Sequence, residues 1–166
     1  MKRDNWISIV FILTFILSFI FSAVSTLASN INVFILLIIL IVIILIGIMF
    51  DMIGVAVLSC DEAVFHAKAS NKLKGAKECV RLIKTASRTS SICNDVIGDI
   101  CGIISGSVAT SLVVLLLNNN NIAAIFITAL ISSLTVGGKA IGKKIAIKYS
   151  ENIIFMVGKF LNKIRF

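Results

Sequence analysis

Apolar residues gather into four stretches, and the segments between them differ sharply in character. Residues 6–28 and 33–58 are almost unbroken apolar runs. At 1.5 Å per residue each is long enough, as a helix, to cross a hydrocarbon core about 30 Å thick. A third run covers residues 91–117. A fourth, residues 122–136, barely crosses unless its helix continues past Gly137 and Gly138. Residues 59–90 follow another pattern: Leu73, Ala76, Val80 and Ile83 recur at spacings of three and four, mostly opposite Lys72, Lys77, Arg81 and Lys84. That is the pattern of an amphipathic helix lying along a membrane surface. From residue 138 onward Ile141, Ile145, Tyr149, Met156 and Phe160 mark one side and Lys144, Lys148, Lys159 and Lys163 others, so a second surface helix is expected. The pattern predicts an all-α integral membrane protein with about four transmembrane helices and two amphipathic surface helices. It forms a single transmembrane domain over residues 1–166, beginning with a helix over residues 5–28.

Small residues at positions 25–29 also fit the end of a cleaved signal peptide. The length of the first run and Trp6 at its interfacial edge favour an uncleaved span.

Polar residues inside the apolar runs are the informative exceptions. On a helical wheel Asn94, Gly98, Gly102 and Gly106 share one stripe, and Ser91, Asp95 and Asp99 a second, about 100° round from it. The glycines suit close helix packing, and the acids suit a cavity, a cation partner or proton uptake. Asp95 lies near the start of its helix, where an acid is favoured by the macrodipole. Asp99, about 12 Å beyond Ser91 along the axis, is expected to line a cavity. Asp51 is a lone acid in the second run, and two readings stand beside each other: contact with headgroups or water, or a share in the same polar interior. His66 is expected to be an interfacial polar residue.

Composition agrees with a polytopic membrane protein: 58% hydrophobic and 14% charged residues, a mean hydropathy of +1.07 and no proline. The net charge of +8 is concentrated, with +4 in residues 59–90 and +6 in residues 138–166, whereas the links at 29–32 and 118–121 are uncharged. By the positive-inside rule both termini are cytoplasmic, in a multi-pass protein of the cell membrane. The basic segments are expected to meet lipid headgroups rather than nucleic acid. Cys60, Cys79, Cys93 and Cys101 lack zinc or disulfide spacing and are expected as free thiols. No nucleophile with a partnering base and no phosphate loop suggests an enzyme.

From about residue 44 the order of motifs resembles the membrane domain of the cyclin-M/CorC magnesium transporters, without their CBS domains. Ser59-Cys-Asp-Glu62-Ala63 at the end of a span resembles the family's Ser-x-x-Glu-x-Ala, with the alanine one place early. Gly75-Ala-Lys77 and Leu82-Ile-Lys84 resemble its Gly-x-x-x-Ala-Lys and leucine-rich surface helix. Cys93-Asn94-Asp-Val-Ile-Gly98 resembles Gly-Asn-x-x-x-Asn. The segment from Gly138-Lys139 through Gly142-Lys143 to Ala146 and Glu151 resembles Gly-Glu-x-x-Pro-Lys-x-x-Ala-x-x-x-x-Pro-Glu.

The resemblance implies a homodimeric membrane domain with a cytoplasm-facing cavity, in which Ser, Asn and Glu oxygens hold a dehydrated Mg2+. Ser90 and Asn94 match the hydroxyl and first Asn positions, Ser59 or Asp61 the earlier hydroxyl region, and Glu62 the acid. The second Asn falls on Gly98, the later acid on Lys139 and the Pro on Gly142. Replacing a ligand carboxylate by an ammonium changes the site by two charge units. Either Asp95 and Asp99 compensate and the metal set is Ser59, Glu62, Ser90, Asn94, Asp95 and Asp99, or Lys139 pairs with an acid, Asp99 being the expected one, and stands in for the ion. The expected function is accordingly that of a divalent-cation transport module or a non-transporting relative. The alternative is a small membrane subunit whose basic helices dock lipid or a larger membrane protein.

Overall fold

The computed structural model describes residues 8–12, 14–16, 18–19, 32–117 and 121–164. Among them every regular element is helical. The described residues between 8 and 19 are helical, followed by α1 (Val33–Ser59), α2 (Glu62–Ser70), α3 (Ala76–Lys84) and α4 (Ala86–Ser91). A π-helical turn (Ile92–Gly98) leads into α5 (Asp99–Leu117), and α6 (Asn121–Lys148) and α7 (Ser150–Ile164) complete the chain. Most of the expected first span lies outside the described residues, as do the link and turn at 29–31 and 118–120. Three helices, Val33–Ser59, Ala86–Val113 and Ile122–Lys148, are long and apolar enough to cross a membrane. Phe34 and Ile122 keep 77% and 82% of their surface open. Apolar exposure of this extent suits a helix solvated by lipid rather than water.

Two segments depart from the expected pattern. Residues 59–90 form three short helices instead of one. The chain turns between α2 and α3 through Lys72 (φ 55°) and Gly75 (φ 89°), both in the left-handed region. Conversely, α6 runs without interruption through Gly137 and Gly138. Glycine weakens a helix but, unlike proline, removes no backbone donor. The last span is therefore full length, and the basic C-terminal segment is divided between its final turns and α7.

The chain forms two compact units. One comprises the described residues up to Ile48 together with Val96–Gly138. Its core is a stripe at spacings of four, Val96, Ile100, Ile104, Val108 and Leu112, packed on Leu36 and Leu40 of α1. Gly102 and Gly106 are not part of this packing: a Cβ on either meets nothing within 4 Å. In an α-helix a spacing of four advances about 40° beyond a full turn, so the glycines drift from Gly98, which is buried, to Gly106, which is exposed.

The other unit comprises Met49–Asp95 and Lys139–Phe166. Ala56 and Val57 of α1, Phe65 of α2, Cys79 of α3, Ala146 of α6 and Ile154 of α7 form its buried core. Asp61 caps α2 by accepting from the Ala63 amide at 2.9 Å. Lys68 of α2 reaches Glu151 of α7 at 3.5 Å, and the Ser150 hydroxyl donates to the Ser59 carbonyl at 3.4 Å. The Cys79 thiol donates to the Ile154 carbonyl at 3.3 Å, and burial pushes its pKa up to about 11. It is a packed structural thiol rather than a reactive one. Beside it, α3 and α7 touch at glycines. A Cβ on Gly75 would stand 2.6 Å from the Lys159 amide nitrogen, and one on Gly158 would overlap the Cys79 sulfur.

These contacts separate the glycines by consequence. Gly158→Ala forces α7 from α3 and should destabilise the protein by about 1–3 kcal/mol, as overpacking does. Gly102→Ala and Gly106→Ala should be neutral or stabilise by about 0.5–1 kcal/mol through helix propensity. Thermal unfolding in mild detergent checks the ranking; equal losses at all three sites would contradict it.

Candidate functional site: a buried ion pair between two membrane helices

A carboxylate in an apolar helix must find a partner or lose its charge. Asp51 lies eight residues before the end of α1, about 12 Å along its axis, and is buried at 3% exposure. Its Oδ2 stands 3.2 Å from the Nζ of Lys139 on α6, whose side chain is 19% exposed. The pair joins two candidate spans within one unit. At that distance the ammonium and the carboxylate form an ion pair.

Three residues beyond Asp51, Gly54 sits directly against the Asn94 side chain; a Cβ there would overlap the amide oxygen. Only a residue without a side chain lets the carboxamide approach α1 so closely. The Asn94 Nδ2 donates to the Ser90 hydroxyl at 3.2 Å, whereas its Oδ1 is buried without a hydrogen-bond donor. Such an oxygen is costly to retain and calls for an explanation. Asn94 belongs to the π-helical turn Ile92–Gly98, a geometry that recurs at functional sites because it re-aims side chains out of α-helical register. Cys93, also buried, lies close enough to Asp51 to feel its charge.

The residues expected from the sequence to act together separate into groups. Ser90 and Asn94 meet, one turn apart, as expected. Ser59 is exposed, and its hydroxyl donates to the Val55 carbonyl within α1. Glu62 lies 3.0 Å from His66 on the surface of α2. Asp95 and Asp99 are both exposed, and Asp99 begins α5 in the other unit. Lys139 finds its acid in Asp51 rather than in Asp99, the partner expected for it. Two readings stand for Asp51, contact with headgroups or water and a share in one polar interior with Asp95 and Asp99; Asp51 is buried beside Lys139, and the exposed Asp95 and Asp99 do not share that place. The sequence carries a partial signal for the pair: Asp51 is the lone charge in the second apolar run, and Lys139 is the first base after the fourth.

Among the described residues no group of three or more His, Cys, Asp or Glu side chains could hold a metal ion. Magnesium takes a near-octahedral oxygen shell, commonly with one or two carboxylates. Here the buried carboxylate already holds an ammonium, and Asn94 and Ser90 add only neutral oxygens within the same unit. With Lys139 in place these residues do not fit a divalent cation.

Comparison with protein-family models, with curated proteins and with solved structures finds no match.

Breaking the pair from either side should be unequal in cost. Lys139→Met strands a carboxylate with almost no access to solvent, and should destabilise by about 3–5 kcal/mol. Asp51→Leu strands a lysine whose long side chain can reach outward, and should cost less. The double variant should recover most of the loss, because two apolar residues leave no buried charge. Thermal unfolding of the four proteins tests this; additive losses in the double variant would contradict it.

Proposed function

We propose that the protein is a small multi-pass protein of the cell membrane, with four spans and both termini in the cytoplasm. It is built on the plan of the cyclin-M/CorC membrane domain, but the Lys139 ammonium takes the place of the transported cation. The chain is a non-transporting relative: the Asp51 carboxylate is kept as a structural joint between α1 and α6, and it does not carry magnesium. The observation that supports this most is the 3.2 Å contact between Lys139 and the buried Asp51. The buried Asn94 oxygen, left without a donor, fits a site whose chemistry is that of cation coordination rather than ordinary packing.

A second role is favoured by the other end of the same unit. Lys72 and Lys74 in the α2–α3 turn, Lys77 on α3, and Lys159 and Lys163 on α7 are charged residues of the segments that follow the helices ending at Ser59 and Lys148. They suit a membrane subunit that docks to an anionic surface. A homodimer with paired spans is consistent with both roles.

Reconstitution into proteoliposomes loaded with a magnesium-sensitive dye tests the first reading. Under an inward magnesium gradient the wild-type protein should give the rate of protein-free vesicles. A flux above that rate that is lost in Asn94→Ala would make the chain a transporter.

A further inference from the structure

A cavity of about 870 Å³ opens between the α2–α3 turn and α7. It lies wholly within one compact unit. Lys72, Lys74 and Lys77 line it from the turn and the first residues of α3, and Lys159 and Lys163 from α7, against a single acid, Glu78. Among the described residues no ion pair neutralises any of the five lysines. Lys159 rests its ammonium 4.5 Å from the Phe155 ring centroid, a contact that holds the group without cancelling its charge.

The five lysines line one cavity because of close backbone contact beneath it. Gly75 and Gly158 allow α7 to lie against the turn, which sets Lys159 and Lys163 opposite Lys72, Lys74 and Lys77. Lys72 also keeps a left-handed backbone (φ 55°), which is unfavourable for a residue with a Cβ. A strained lysine in a concave, unneutralised cluster of lysines has the chemistry of a polyanion site.

We propose that this cavity binds the phosphate-bearing headgroup of an anionic membrane lipid. The inference deepens the docking role stated above and is independent of whether the protein transports an ion. Connectivity favours lipid over a free phosphate compound. α2 begins at Glu62, just after the span ending at Ser59, and α7 begins at Ser150, just after the span ending at Lys148. The cavity is thereby tethered at the level where headgroups lie. Beside it, Met156, Phe160 and Ile164 recur at spacings of four on α7 with 73%, 64% and 63% of their surface open, a stripe fit to enter the acyl boundary while the neighbouring lysines meet phosphate. The volume, within the range of about 300–1,000 Å³ usual for ligand pockets, has room for more than a single phosphate.

The test uses the full chain in a neutral detergent, with its melting temperature read after addition of cardiolipin, phosphatidylcholine or inorganic pyrophosphate. Cardiolipin at saturation should raise the wild-type melting temperature by roughly 5 °C, phosphatidylcholine and pyrophosphate by far less. Lys77→Gln with Lys163→Gln should lose most of the cardiolipin shift, whereas Lys143→Gln with Lys144→Gln, exposed lysines of α6 outside the cavity, should keep it. No cardiolipin shift, or equal loss in the two double variants, would overturn the site. A pyrophosphate shift as large as that of cardiolipin would overturn its assignment to lipid.

Discussion

The ion pair between Asp51 and Lys139 is the constraint on which the second unit depends. An ionised carboxylate two turns inside an apolar helix has no water to solvate it, and the cost of leaving it unpaired exceeds what any neighbouring contact returns. Lys139 meets that demand from α6, and in doing so fixes how α6 lies against α1 within the unit. A buried pair of this kind is weak evidence for stability by itself, because a well-packed apolar pair often does as well. It is stronger evidence for specificity: few arrangements of two apolar helices place one acid opposite one base.

Around the pair, close approach is obtained repeatedly by the absence of a side chain. Gly54 admits the Asn94 carboxamide, and Gly75 and Gly158 bring α3 and α7 together around Cys79. The same two glycines that complete the core also gather five lysines at one cavity. Packing and surface chemistry in this unit are thus consequences of one set of contacts. The small core, with Phe65, Cys79 and Ile154 fully enclosed, has to hold the helices.

Much of this was legible in the chain. Apolar length identifies the spans at α1, α5 and α6, because hydropathy over 20 residues is a strong signal. The polar interruption at Asn94 does mark an unusual segment. What periodicity could not supply was register and partner. A helical wheel assumes a constant turn angle, and the π-helical residues Ile92–Gly98 break that assumption. Asp95 and Asp99 fall on exposed positions, and a Cβ on Gly102 or Gly106 would meet nothing within 4 Å. Nor does a wheel say which acid meets Lys139; that depends on how α1 and α6 pair, which is tertiary information. The division of residues 59–90 into three helices was likewise hidden, since Lys72 carries no sequence mark of a left-handed turn.

In the proposed reading Lys139 takes a cation's place at the Asp51 carboxylate, 3.2 Å away. Equilibrium binding of Mn2+, a paramagnetic stand-in for magnesium, measured by loss of its free-ion resonance signal, tests it most directly. The account predicts no binding by the wild-type protein and binding by Lys139→Gln that is lost again when Asn94→Ala is added. Binding by the wild-type protein as tight as that of Lys139→Gln would contradict it.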